Sequence, residues 1–116
     1  ASHTYKKSID DLNLLLDFAI KNDINITGLL PPFSPNFYSA LTSMSDRSRF
    51  FQEYENKICS IFDSYGFQCF NFCDIKNNTI IKNNKTFYDN IHSSEELMSE
   101  ITKHIISSTN LLNMQK

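Results

Sequence analysis

The chain has 116 residues, 41% of them hydrophobic with ten Phe and five Tyr, and a net charge of −2. That is length for one domain and not for two, with enough large apolar side chains to build a core, so disorder throughout is excluded. Charges of both signs are mixed, and the basic groups Lys6-Lys7 and Arg47 with Arg49 are isolated, so the electrostatic footprint of nucleic-acid binding is missing.

In chain order, Ser8 with Asp11 three residues on has the form of a capping box. Ile9, Leu12, Leu16, Ala19 and Ile20 then recur on one face, which predicts an amphipathic helix ending near Lys21-Asn22. Ile24 to Leu30 is a short run rich in β-branched residues and reads as a strand, stopped by Pro31-Pro32, since proline cannot donate to a ladder. Residues 33–47 read as a loop with a helical turn around Tyr38 to Thr42. Ser34 within it is expected to be a turn hydroxyl or helix cap.

Phe51, Tyr54, Ile58, Ile61, Phe62 and Tyr65 keep the helical period and read as core. Gly66 stands where a left-handed terminal residue is wanted. Phe67 to Phe72 follows as a second apolar strand, and Lys76 to Lys85 as an exposed, Asn-rich loop. A last helix is predicted after Ser93, with Glu96 closing a second capping box, an apolar face of Leu97, Ile101 and Ile105, and fraying beyond Ser107.

A strand, a helical crossover and a second strand make a βαβ unit with parallel strands. Such sheets are normally covered on both faces. The chain therefore reads as one α/β domain over residues 1–116, part of a larger doubly wound sheet or a protomer that completes its sheet with a partner.

The three cysteines are an odd number with no CxxC pair, and Cys69 and Cys73, four apart in a strand, are roughly 13 Å from each other at ~3.3 Å per residue, too far for a disulfide. With Cys59 they are expected to be small core hydrophobes, which favours a reducing, cytoplasmic setting. With only Gly28 and Gly66 present, the Gly-rich phosphate loops of P-loop and Rossmann proteins are excluded. No apolar run approaches the roughly 20 residues of a membrane span, and no apolar segment follows Lys6-Lys7 as a signal peptide requires. The sequons at Asn25, Asn77 and Asn84 are no more than chance would supply and say nothing of glycosylation.

Three features together resemble the C-terminal half of SGNH (GDSL-like) hydrolases over residues 8–107. A helix leads to an apolar strand ending in Pro31-Pro32. A long helix leads to a second strand ending in Asp74. A loop then closes on Asp89-Asn90-Ile91-His92-Ser93 ahead of a final helix. The resemblance implies a three-layer, flavodoxin-like parallel sheet, of which this chain holds the C-terminal two strands and three to four helices. It also implies ester hydrolysis or O-acyl transfer, with an O-acylated carbohydrate or another ester as substrate. In that chemistry His92 is the general base and Asp89 holds its tautomer. The family's Gly-Asp-Ser block, and the Gly and Asn of its oxyanion hole, have no counterpart here, so the serine must come from outside these residues and the chain alone is expected to be inactive. The alternative is a non-catalytic interaction or assembly module, completed by an N-terminal half or a second copy, with Ile24 to Leu30 as the candidate edge. No cofactor is expected. Asp89, His92, Glu95 and Glu96 lack a second histidine at ligand spacing, so no metal is expected either. His3 and His104 have no visible partner and are expected at the surface.

Overall fold

The computed structural model describes residues 2–78, Phe87 and 94–114, the side chains of 2–4, 45–48, 76 and 110–114 aside. The elements are α1 (Ser2–Lys21), β1 (Gly28–Leu30), α2 (Pro35–Ser43), α3 (Ser45–Ser64), β2 (Cys69–Asn71), a 3-10 turn (Ile75–Asn77) and α4 (Glu95–Met114). Helix dominates. The three-layer, flavodoxin-like sheet expected from the resemblance is not what the chain forms: among the described residues the sheet has two strands of three residues each.

The parallel pairing itself is present, with Gly28 opposite Cys69, Leu29 opposite Phe70 and Leu30 opposite Asn71. Both strands are shorter than the apolar runs that contain them, and the cause is local. The backbone of Ile24 is engaged in ending α1: its N–H donates to Ala19 O at 2.9 Å and Asp23 N–H donates to Ile20 O at 3.3 Å. These are the two bonds of a Schellman motif, with Asp23 at φ 54° in the left-handed position that usually takes glycine. The same motif ends α3, where Phe67 N–H donates to Phe62 O, Gly66 N–H donates to Asp63 O, and Gly66 sits at φ 79°.

Helix boundaries also depart from the periodic reading. α1 starts at Ser2, so Ser8 lies inside it and not at its start; no glycine or proline interrupts residues 2–7, and Tyr5 packs edge-on to Phe50 with centroids 5.3 Å apart. The loop expected over 33–47 is largely helical. Ser34 accepts from Phe37 N–H at 3.3 Å and Pro35 occupies the first turn of α2, the cap-then-proline start that suits a helix. α4 is capped by Ser94, which accepts from Leu97 N–H at 3.2 Å, one residue later than the expected box. It runs to Met114, past the expected fraying at Ser107.

Alternation along β2 divides the packing. Even-numbered Gly28 and Leu30 and odd-numbered Cys69 and Asn71 turn to one face of the strand pair, as period two requires. On that face Leu16 and Ala19 of α1 pack with Ile61 and Phe62 of α3 and with Phe67. On the other face Phe70 and Phe72 meet α4, and Phe72 joins Ile75, Leu97 and Ile101 in a second cluster. Leu30, Phe51 and Cys73 centre a third, under α2. Gly28 is required by closeness: a Cβ there would come within 2.9 Å of the Phe62 ring and 3.0 Å of Cys69 Sγ.

The cysteines correct the sequence reading. Cys59 of α3 and Cys69 of β2 form a disulfide, Cα atoms 5.2 Å apart. Cys73 alone is a free, buried thiol. The Tyr65–Gly66 turn sends the chain back along α3 and so brings 59 and 69 together. The unpaired-cysteine argument for a reducing compartment therefore falls.

Candidate functional site

Open parallel sheets offer ligands the carboxyl ends of their strands. Here β1 leaves through Pro31-Pro32-Phe33 to the cap of α2, and β2 leaves through Phe72-Cys73-Asp74. Phe33 N–H donates to Cys73 O at 3.4 Å, holding the two exits together. α2 presents Tyr38 and α3 presents Glu55 over this end. The Tyr38 hydroxyl donates to Glu55 Oε2 at 3.2 Å, and Asn71 Nδ2 donates to Glu55 Oε1 at 3.2 Å. Asn71 Oδ1 in turn accepts from Cys73 N–H at 2.9 Å. One carboxylate thus ties α2, α3 and the end of β2.

The electrostatics follow from this arrangement. Burial, then the Glu55 carboxylate, push the Tyr38 phenol up to about 12. The Cys73 thiol is pushed up to about 12 by the same causes in the same order. Burial also raises Tyr54. Both Tyr38 and Cys73 are therefore protonated at neutral pH. A neutral buried thiol is a poor nucleophile, and Ser34 is engaged as a cap. Among the described residues this end of the sheet is a latch, with its polar groups spent on one another.

Asp89 and His92, on which the ester chemistry rests, lie outside the described residues, as do the sequon at Asn84 and most of the loop expected over 76–85. His104 departs from its expected surface placement: its ring meets Phe70 and Phe72 edge-on, centroids 5.8 and 6.1 Å away. Among the described residues no group of three His, Cys, Asp or Glu is arranged to hold a metal ion, and no helix is long and apolar enough to cross a membrane.

The second candidate surface is the outer edge of β1. Gly28 N–H donates to Gln68 O and Leu30 O accepts from Phe72 N–H, so Gly28 and Leu30 face β2. The N–H and C=O of Leu29 then point away from β2. Leu29 is 38% exposed. α1 packs against α3 on one face of the strand pair. Asn13 marks its α3 side, since its O and Oδ1 both accept from the Tyr65 hydroxyl at 3.2 Å. At ~100° per residue Leu15 and Phe18 lie on the opposite flank. Both are more than half exposed, as is Leu14, and Ile24 is a fourth exposed apolar side chain. Apolar periodicity pointed to the buried stripe of α1, except that Ile20, expected in it, is 53% exposed; the exposed flank was readable in Leu14, Leu15 and Phe18 as residues outside that stripe.

No protein-family model, no curated protein and no solved structure matches the chain.

Proposed function

We propose that the chain is a non-catalytic assembly module that completes its sheet by pairing with a second copy of itself through β1. The observations that carry this are the edge of β1 at Leu29, whose N–H and C=O point away from β2, and the exposed apolar flank of α1. An open edge is a template for another strand, and contiguous apolar surface marks an interaction site.

A two-fold axis perpendicular to the sheet and passing beside Leu29 satisfies both features in one operation. It pairs β1 antiparallel with its copy, giving the strand order β2-β1-β1-β2, and it brings the two α1 helices together on one face. With Leu15 of one copy against Phe18 of the other, Asp11 faces Asn22, so the central part of the helix pair brings no like charges together. An interface of this kind is self-complementary, as an isologous dimer requires. Sedimentation equilibrium tests it: a dimer is expected, and Leu29→Lys is expected to give a folded monomer. A wild-type chain that stays monomeric over the accessible concentration range overturns the reading.

Ester hydrolysis or acyl transfer is a second reading, favoured by one observation. α4 begins at Glu95 behind the Ser94 cap, so Asp89-x-x-His92 immediately precedes a helix start in the chain. Since the serine must come from outside these residues, it is tested by a generic ester assay in the presence of the segment that supplies the serine, with the wild-type chain and with His92→Ala; equal rates remove it.

A further inference from the structure

The Cys59–Cys69 link has no part in the dimer argued above. Both cysteines are half-buried, and both line an open cavity of about 580 Å³ whose wall also includes Ser60, Asp63, Gly66 and Gln68. On its other side Cys69 Sγ is closed in by the strand backbone, where a Cβ at Gly28 would lie 3.0 Å away. The disulfide is thus enclosed toward β1 and open toward the cavity. The remaining cysteine cannot act on it readily: Cys73 is fully buried, and a protonated thiol does not attack sulfur. Electrons for this bond must come from solvent, by way of the cavity.

We propose that Cys59–Cys69 is a redox-active site that takes a low-molecular-weight thiol through this cavity, preferring thiols with positively charged or neutral substituents over anionic ones. The incoming thiolate attacks one sulfur and forms a mixed disulfide. The electron pair of the broken S–S bond leaves on the other sulfur, which takes a proton from water. A second thiolate attacks the mixed disulfide, releasing the second protein thiol and the external disulfide. Two small thiols are oxidised to one disulfide while the protein bond is reduced to two thiols. The selectivity comes from Asp63, the single charged residue of the cavity wall among the described residues, whose carboxylate repels an anionic substituent where the attack must pass.

The test compares cysteamine, 2-mercaptoethanol and mercaptoacetate on the folded chain at equal thiolate concentration and low salt, followed by alkylation and mass mapping. Cys59 and Cys69 are expected to become alkylatable while Cys73 stays protected. With each rate divided by that thiol's rate on a small neutral disulfide, which removes the difference in intrinsic nucleophilicity, cysteamine is expected to exceed mercaptoacetate by roughly three- to fivefold, the span of one partly screened charge. Asp63→Asn should collapse that spread, whereas Asp10→Asn on α1 should leave it unchanged. Three results overturn the proposal: Cys59 and Cys69 alkylated before any thiol is added, reduction that proceeds only at the rate of unfolding measured by circular dichroism, or a rate order indifferent to Asp63.

Discussion

At the carboxyl ends of β1 and β2, Glu55 accepts from Tyr38 on one side and Asn71 on the other, and the cysteine beneath them is buried and protonated. Along the outer edge of β1, the backbone N–H and C=O of Leu29 point away from β2, and Leu15 and Phe18 of α1 are exposed. The first region is where parallel sheets usually take ligands, yet its groups are committed to holding α2 and α3 in place. The second shows exposed apolar side chains and a strand edge that faces away from β2. The contrast is what places the proposed assembly surface at the side of the strand pair and not at its end.

The largest expected effect breaks the open edge. Phe18→Glu should raise the dimer dissociation constant by roughly a hundredfold or more, about 3 kcal/mol, with a monomer that melts as the wild type does; sedimentation and circular dichroism read the two parts separately. Next, removing the link that fastens β2 to α3, as Cys59→Ser with Cys69→Ser, should cost about 2.7 kcal/mol in urea titration, the closure entropy of a ten-residue separation. Untying the latch with Glu55→Ala leaves two donors short of an acceptor and should cost about 1–2 kcal/mol without changing the oligomeric state. A dimer weakened by Glu55→Ala would show that the two regions are not independent.

Alkaline titration sharpens the same contrast. The folded chain holds Tyr38 and Cys73 at about 12, above ordinary values of 10.0 and 9.0. Their contribution is therefore complete below about pH 9 and lost as pH climbs to about 12. Tyr38→Phe should flatten the pH 10–12 part of that loss in melting temperature, while Leu29→Lys should leave its shape unchanged. The smallest effect is Asp23→Gly, expected to stabilise by about 0.5–1 kcal/mol by relieving a left-handed aspartate.

Legibility followed the range of the interactions. The crossover and parallel pair could be read from two apolar runs separated by a periodic helix, because each run carries its own signal. Strand length could not, since the start of the first run is taken up in ending α1 with an aspartate, a residue that does not announce a left-handed cap as Gly66 does. α2 was concealed by its composition, although Ser34-Pro35 is a start signal in itself. The three-layer sheet failed for a different reason: the resemblance supplied strands that the described residues do not contain. The disulfide was missed because spacing was tested along a strand, whereas the turn at Gly66 folds Cys69 back upon Cys59. The carboxylate of Glu55 was invisible because its partners, Tyr38 and Asn71, come from two other elements.

Gly28 deserves a last consequence. The Phe62 ring lies on bare backbone there, and its neighbours Thr27 and Leu29 both carry side chains. A slip of β1 by one position would drive one of them into the ring and also turn Leu30 out of its cluster. A three-residue strand has few hydrogen bonds with which to choose its alignment, so the missing side chain acts as a notch: only one seating of β1 against α3 lets the ring close.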